Sequence, residues 1–246
     1  MSKQEVMVNK LTRREVREAM EAGQFQAAIV PTGAIEQHLE HLAMEHDIRT
    51  ATWIAREVAL RMFPQVIVGV PMNVGISEHH MIHKGSMTAK PGSWMAVLFD
   101  AVESFVRHGC RNVLILNGHG GNEAPMYGII RQWQIYFRST HLDANVQFQS
   151  YWNLSRREAE AVCSTGVPGH ANEYETSMAL ALFPESVRVD AMEDEQAQLG
   201  TAEKGRQFAE FAVERTKDYL EGMMSGRFRG MFPPKLSVEM DPKVWD

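Results

Sequence analysis

Short apolar runs that alternate with longer amphipathic stretches constrain the fold of this chain most strongly. Residues 27–30, 66–70 and 112–116 are apolar runs bounded by proline or glycine, and each predicts a buried strand. Residues 145–151 alternate between polar and apolar side chains and predict a fourth strand. Because strands that alternate with helices favour parallel pairing and helical crossovers, we predict a single three-layer α/β domain. Its central sheet is expected to be mostly parallel, and the domain to cover residues 1–246.

The stretches between the predicted strands carry apolar residues at helical spacing. Thr12 and Glu15 form a capping-box pattern at the start of the first of them. Asp47 is placed to cap the second. Helices are predicted over residues 12–22, 47–63, 92–108, 123–138, 154–163, 172–183 and 199–224. The proline-containing tail, 233–242, is predicted to be irregular.

Composition argues against several classes of partner. The net charge of −6 is unsuited to nucleic acid, since phosphate binding needs a basic face. No apolar run approaches the ~20 residues that cross a bilayer, and the first residues lack a signal-peptide pattern. Cys110 and Cys163 form no CxxC pattern and fit a reducing compartment. We therefore expect a cytoplasmic protein without nucleic-acid or membrane partners.

Three polar segments follow apolar strands or lie in loops. The first contains Glu36 and His38 and is followed by Asp47, the second is the glycine turn around His119, and the third is 170–175. The carboxyl ends of parallel strands meet at one rim of such a sheet, where ligands bind. Imidazole and carboxylate ligands suit Zn²⁺, Mn²⁺ or Fe²⁺. Taken singly, each residue has a structural alternative, such as a helix cap or a first-turn acid.

A fourth polar segment contains His79, His80 and His83 within a long connection, 71–90. The spacing of His79 and His83 could bind metal on a helix, but Gly75, Ser77 and Gly85 make a helix unfavourable there. A role in the substrate pocket, a subunit contact and a plain surface loop all remain open.

Over residues 27–183 the chain resembles the creatininase family, also called creatinine amidohydrolases. The resemblance is carried by three ordered motifs: Glu-Gln-His-x-x-His-Leu-x-x-x-x-Asp at 36–47, Asn-Gly-His-Gly-Gly-Asn at 117–122, and Gly-His-Ala-Gly-Glu-x-Glu-Thr-Ser at 169–177. Asn172 replaces the second glycine of the third motif. The resemblance implies an α/β hydrolase with two divalent metal ions per subunit, and a homo-oligomer that is often a ring-like hexamer.

The resemblance also implies a ligand set. By position, Glu36 and His119 bind one ion, His38 binds the other, and Asp47 bridges them. Creatininase has a glutamate two residues after the histidine of its glycine motif, where this chain has Gly121. The second ion therefore needs another acid, and of Glu173 and Glu175 we favour Glu175. The missing acid also weakens the case for creatinine as the substrate.

Further roles are expected around these ligands. His170 is expected to donate a proton to the leaving group, and Glu173 to orient His170 or to shuttle the proton. Backbone N–H groups of Gly120 and Gly121 are expected to hold the oxyanion. Asn122, His41 and Ser86 are the other residues expected to contact the substrate.

The predicted activity is metal-dependent hydrolysis of a small polar substrate by attack of activated water on a carbonyl. An amide or cyclic amide, with cleavage of a C–N bond, is the leading interpretation. The Glu- and His-rich loop 39–46 would also suit a polyol, so ring opening of an oxidised inositol at a C–C bond is the main alternative. Deformylation of a formylamino pyrimidine and peptidase action are further alternatives. A non-catalytic metal- or sugar-binding protein is the alternative from another class.

Overall fold

The computed structural model describes residues 4–229, which include four parallel strands. These are β1 (Ala27–Thr32), β2 (Val66–Val68), β3 (Asn112–Asn117) and β4 (Asn145–Ser150). They form one sheet in the order β2–β1–β3–β4. Thr32 of β1 lies opposite Asn117 of β3, so these two central strands end side by side. The predicted parallel sheet is confirmed.

Helices precede, connect and follow these strands. They are α1 (Arg13–Glu21), α2 (His46–Arg61), α3 (Pro91–Arg107), α4 (Glu123–Thr140), α5 (Tyr151–Leu154), α6 (Arg156–Glu160), α7 (Glu173–Leu182) and α8 (Ala202–Met224). Within residues 4–229 no helix is both long and apolar enough to cross a membrane.

Alternate residues of β1, β2 and β3 pack into two separate cores. Ile29 and Leu114 lie in a core with side chains of α2 and α8. Val30 and Ile115 lie in a second core with side chains of α3 and α4. Because successive strand residues point to opposite faces, helices cover both faces of the sheet. The chain therefore forms the predicted three layers.

The crossover pattern locates the rim where a site is expected. The chain leaves β1 towards β2 on one side and leaves β3 towards β4 on the other. The strand order therefore reverses between β1 and β3, and open α/β sheets bind ligands beyond the strand ends at such a point. The segments that follow these two strands contain the first two predicted motifs.

Local sequence signals account for most element bounds, with one exception at a proline. Thr12 and Glu15 make both hydrogen bonds of the predicted capping box. β1 continues through Pro31 although that residue lacks an N–H group. Pro31 O accepts from Met72, so its polar side faces the edge where β2 has already ended. The missing donor therefore leaves the pairing of β1 with β3 intact.

Two local predictions are wrong, and one lies outside the described residues. The predicted helix 154–163 is instead α5 and α6, which meet at Ser155. Asp47 does not cap α2, because Glu45 is the N-cap residue and Asp47 lies in the first turn, where its side chain faces two histidines. The predicted irregular tail, 233–242, is not among the described residues.

Candidate functional site

Glu36, Asp47 and His119 meet where β1 and β3 end. Their side chains are 2–3% exposed. His119 Nδ1 lies 3.2 Å from Glu36 Oε1 and 2.9 Å from Asp47 Oδ2. Gly118 allows this approach, because a Cβ there would lie 2.3 Å from the backbone oxygen of Asp47. The end of β3 thus touches the first turn of α2.

His38 and Glu175 lie on the other side of Asp47. His38 Nε2 is 3.0 Å from Asp47 Oδ1 and 3.6 Å from Glu175 Oε2. Glu175 lies in the first turn of α7, and its Oε2 accepts the N–H of Ala171 at 2.5 Å. The two oxygens of Asp47 therefore face two different histidines. The predicted ligands Glu36, His38, Asp47, His119 and Glu175 all come together in one buried cluster.

Backbone carbonyl groups orient both histidine rings. His119 Nε2 lies 3.0 Å from the oxygen of Ile76, and His38 Nδ1 lies 3.2 Å from the oxygen of Glu36. A carbonyl can only accept, so these nitrogens carry the protons and donate them. The other nitrogen of each ring then faces the carboxylates. Ligand histidines in metal sites are commonly fixed by hydrogen bonds of this kind.

The cluster concentrates negative charge in a buried place. Within residues 4–229, the ion-pair partners of Glu36, Asp47 and Glu175 are all histidines. Burial opposes charge on His38 and His119, but the neighbouring carboxylates raise their pKa values to about 9 and about 10. Burial raises the pKa of Glu175 to about 7, against the opposing effect of His38. Without a cation, protons on the two imidazoles supply the compensating charge.

The donor atoms fit divalent metal ions. His38 Nε2 and Asp47 Oδ2 are buried and have no aligned hydrogen-bond partner among the described residues. Buried polar atoms of this kind are costly unless they are paired or bind a metal. Nitrogen and carboxylate ligands without thiolate suit Zn²⁺, Mn²⁺ or Fe²⁺. Three sets of side chains each bring one ligand atom per residue within 4.8 Å of the others in the set. The sets are Glu36, His79 and His119; Glu36, His38 and His170; and His38, Asp47 and Glu175.

The connection between β2 and α3 supplies side chains that the sequence left unassigned. Ser77 Oγ donates to Glu36 Oε2, and His79 stacks on His119 with ring centroids 5.8 Å apart. His80 Nε2 lies 3.8 Å from Glu36 Oε1. Residues 78–80 form a single 3-10 turn, which has no periodicity that a sequence pattern could reveal. Only the density of histidines signalled that this segment belongs to the site.

The structure contradicts the expected contact between Glu173 and His170. The carboxylate of Glu173 instead pairs with Lys204 Nζ at 2.6 Å and accepts N–H groups of Ser164 and Thr165 at 2.7 and 3.0 Å. Glu173 is fully buried, so these bonds use its carboxylate to fix the preceding loop. We therefore assign Glu173 a structural role in holding the segment that carries His170.

His170 itself lies at the open edge of the cluster. Its side chain is 32% exposed, and its Nδ1 is 3.8 Å from Glu36 Oε1. Its ring also lies 4.5 Å from that of His38. Burial, followed by the positive charge of His38, lowers the pKa of His170 to about 4. The ring is thus neutral near pH 7 and accessible from solvent.

The three residues of the glycine turn differ in their surroundings. A Cβ at Gly121 would lie 2.2 Å from the oxygen of Ile76 and 2.4 Å from His119 Nε2, so position 121 has no room for a side chain. A Cβ at Gly120 would meet nothing within 4 Å, which leaves this residue open to a ligand. Asn122 is fully buried, and its amide bonds Gly33, Asn117 and Ile76. Asn122 therefore braces the strand ends, which corrects its predicted contact with the substrate.

A cavity of about 670 Å³ lies beside the cluster. Its wall contains the carboxylates Glu40, Glu193 and Asp194 and one ammonium, Lys84. His41 also lines it, while its Nε2 bonds Thr176 Oγ1 at 2.8 Å. The remaining lining residues are Gln37, Leu39, Met44, Ile82, His83 and Ala191. The size is that of pockets that bind small organic ligands.

Ser86 does not line this cavity but contacts Gln37, which does. Its Oγ accepts the N–H of Gln37 at 3.1 Å, and the residue is 8% exposed. Ser86 therefore positions Gln37, and a direct contact with the substrate is not evident from its surroundings.

The family model for creatininase (creatinine amidohydrolase) matches residues 9–225. The mycofactocin precursor peptide peptidase of Mycobacterium ulcerans is 30% identical over 175 residues, which are 68% of this chain and 63% of that protein. The creatinine amidohydrolase of Pseudomonas putida is 28% identical over 77% of this chain and 76% of its own. The 3-dehydro-scyllo-inosose hydrolase of Thermotoga maritima is 28% identical over 71% and 55%.

Solved structures show the same fold. A crystal structure of creatinine amidohydrolase aligns with a TM-score of 0.81 at 23% identity, covering 94% of this chain and 100% of that one. A creatininase mutant described as Zn-Zn type has the same TM-score and identity, covering 90% and 99%. A further structure, described as creatininase with Mn, has a TM-score of 0.80 at 23% identity over 90% and 99%. Relatives of this fold have thus been observed with zinc or manganese.

Proposed function

Because the chain belongs to the creatininase family, we propose that it is a hydrolase that uses two divalent metal ions to cleave a C–N bond next to a carbonyl group. The observation that carries the proposal is the buried cluster of three carboxylates and two oriented imidazoles at the strand ends. The chain matches only 63% of the length of the mycofactocin precursor peptide peptidase. The activity of the whole protein is therefore a proposal.

The proposed ligands divide around Asp47. Glu36 and His119 would hold one ion together with Asp47 Oδ2, and His38 and Glu175 would hold the other together with Asp47 Oδ1. The orientation of each Asp47 oxygen towards a different histidine supports this division. Glu175 would supply the carboxylate that Gly121 lacks. His79 lies beside the first set and is a candidate for an additional ligand there.

When bound, two such ions activate a water molecule and polarise a carbonyl group. The protein supplies the rest. Gly120 leaves space next to His119 for the reacting group, and His170 would contact the substrate from the open edge of the cluster. The acidic wall of the neighbouring cavity would favour a substrate with hydroxyl or cationic groups, because Glu40, Glu193 and Asp194 outnumber Lys84 there.

The names of two relatives support cleavage of a C–N bond. A peptidase and a creatinine amidohydrolase both act on such bonds, and these proteins are 30% and 28% identical to this chain. A second candidate is hydrolysis of an oxidised inositol at a C–C bond. It is favoured by the relative named as a 3-dehydro-scyllo-inosose hydrolase and by the acidic cavity, which suits a polyol.

Metal content tests the proposal directly. We expect two zinc or manganese ions per chain in the wild-type protein, fewer than one in Asp47→Ala, and about one in His38→Ala, because Asp47 would serve both ions. Inductively coupled plasma mass spectrometry on dialysed protein gives these numbers. Asp100→Ala, on the exposed face of α3, is the matched control and should keep both ions. Full occupancy in Asp47→Ala would rule out the shared-ligand arrangement.

Turnover then separates the candidate reactions. The metal-loaded protein should be assayed with creatinine, a formylamino pyrimidine, short peptides and a keto-inositol. Conversion of creatinine to creatine, or release of an amine from the formylamino pyrimidine or a peptide, supports the C–N reaction, and ring opening of the keto-inositol alone supports the alternative. Bound metal without turnover of any of them would favour a binding protein. Homo-oligomeric assembly and a cytoplasmic location remain predictions from the sequence.

A further inference from the structure

The amide of Gln37 lies between two imidazole rings at the rim of the candidate metal centre. Gln37 Nε2 is 2.9 Å from His80 Nδ1 and 2.8 Å from His170 Nε2. Gln37 Oε1 accepts the N–H of Leu39 at 2.9 Å, which determines which end of the amide faces the rings. Only the NH₂ end can donate, so both rings accept from Gln37. The proton of each neutral ring must then sit on its other nitrogen.

These other nitrogens face one carboxylate oxygen. His80 Nε2 and His170 Nδ1 each lie 3.8 Å from Glu36 Oε1, too far for a hydrogen bond. The two rings stack with centroids 4.6 Å apart and an interplanar angle of 20°. Their side chains are 17% and 32% exposed. Two N–H groups are therefore directed to the same side of the cluster, and a ligand can reach both.

The backbone next to Gln37 holds this arrangement in place. Leu39 adopts a left-handed conformation, with φ of 53°, which is uncommon for a residue other than glycine. The N–H of Leu39 donates to the side-chain oxygen of Gln37, while Ser86 Oγ accepts the backbone N–H of Gln37. Both the side-chain amide and the backbone of Gln37 are therefore held before any ligand binds.

We propose that His80 and His170 form a pair of neutral N–H donors that binds an anionic oxygen of the substrate, with Gln37 as the positioning residue that fixes both tautomers. Preorganised donors that converge on one place stabilise negative charge developing on oxygen. The ligand class is a carboxylate or the oxyanion formed from a carbonyl. The inference rests on the proposed function, because the oxygen would belong to a substrate at the metal centre.

The first test measures the tautomers and needs no substrate. Two-bond ¹H–¹⁵N spectra of the full-length, metal-free protein labelled at histidine distinguish the two tautomers of each ring. We expect the proton of His170 on Nδ1 and that of His80 on Nε2, with signals assigned through His80→Asn and His170→Asn. In Gln37→Met, which lacks the donor, His170 should lose its single tautomer. A proton on His170 Nε2, or no change in Gln37→Met, would overturn the proposal.

The second test measures binding of acetate, a minimal carboxylate, to the zinc-loaded protein. We expect the signals of His80 and His170 to shift on titration, and His80→Phe to raise the Kd for acetate about tenfold through loss of one charge-assisted hydrogen bond. His141→Phe, at the opposite end of the sheet, is the matched control and should leave the Kd unchanged. Wild-type affinity in His80→Phe, or absence of acetate binding to the wild-type protein, would contradict the donor pair.

Zinc content distinguishes this inference from the proposed function. If His170→Asn loses one zinc ion per chain, His170 is a metal ligand and the donor pair is wrong, although the metal centre stands. If the wild-type protein binds no zinc, the proposed function fails, while the tautomers in the metal-free protein still decide whether Gln37 orders the two rings.

Discussion

Gly121 shows how a single missing side chain shapes the centre. A side chain here would displace the hydrogen bond between His119 and the oxygen of Ile76, which orients the His119 ring. The same position would also bring a Cβ to 3.0 Å from His79 Cε1. Glycine at 121 is therefore required by the packing of its neighbours, and the acid for the proposed second ion would have to come from elsewhere.

Gly121→Ala is expected to destabilise the protein. Overpacking of this kind costs about 1–3 kcal/mol, and the lost hydrogen bond of His119 adds about 1 kcal/mol. The zinc content should also fall, because His119 is a proposed ligand. Urea denaturation and metal analysis measure both effects. Gly120→Ala is the matched control, since its Cβ meets nothing within 4 Å, and equal stability of the two variants would contradict this account.

At the residue scale, the sequence indicated which motif residues come together but not which residues support them, and the metal-binding roles of the motif residues stay a prediction. The five predicted ligands come together, since each follows a strand end or lies in the first turn of a helix at the same rim. The partners of Glu173 could not be inferred, because Lys204 lies 31 residues further along, on α8. The position of Gln37 between two rings likewise depends on a contact across 133 residues, to His170.

At the scale of elements, α8 determines where α7 lies. Gly205 of α8 sits against α7 so closely that a Cβ would be 1.8 Å from the oxygen of Ser177. Thr201 caps α8, and its N–H bonds Ser177 Oγ at 3.1 Å. Because Glu175 lies on α7, this close contact between helices places a proposed ligand at the centre.

Gly205→Ala should therefore destabilise the protein by about 2 kcal/mol or more, since α7 and α8 would have to separate. It should also lower the metal content through the displacement of Glu175. Gly128→Ala is the matched control, because Gly128 lies on the exposed face of α4 and a Cβ there would meet nothing within 4 Å. That change should stabilise by about 0.5–1 kcal/mol, because alanine is the better helix former. Thermal unfolding compares them, and similar effects of both variants would rule out the tight contact.

Strong periodicity explains why most elements were predictable. Buried strands and amphipathic helices carry their pattern within a few residues, and the observed β3 and α3 lie within one or two residues of the predicted bounds. The connection 71–90 has no such pattern, and its course follows from contacts such as Ser77 with Glu36 and Ile76 with Asn122. Contacts of this kind join residues more than 40 positions apart, so no local pattern in the sequence reveals them.

At the scale of the whole molecule, the centre joins parts of the chain that are far apart in sequence. Glu36 follows β1, Asp47 begins α2, His119 follows β3 and Glu175 lies on α7. The carboxylates repel one another unless positive charge lies between them. The stability of the entire protein should therefore depend on what supplies that charge.

We expect the metal-free protein to lose stability as pH rises from 6.5 to about 9. The folded-state pKa values of His38 and His119 are raised to about 9 and about 10, above the usual 6.5, so their contribution is complete below pH 6.5 and is lost as pH rises through the folded values. The loss reaches at most about 1.4 kcal/mol per pH unit for each ring.

Urea unfolding between pH 6.5 and 9, in EDTA and in zinc, measures this effect. The zinc-loaded protein should not show the decline, because metal binding replaces the protons on both rings. Equal stability of the metal-free protein at pH 6.5 and pH 9 would mean that the two histidines do not carry the compensating charge.

The closed space at Gly121 also constrains how such a centre can evolve. Under the proposed ligand set, moving the second acid from Glu175 to position 121 would need more than one substitution in this chain. The segment around Ile76 would first have to move away from His119, with loss of the bond that orients that ring. Glutamate at position 121 should therefore be tolerated only together with a compensating change in that segment.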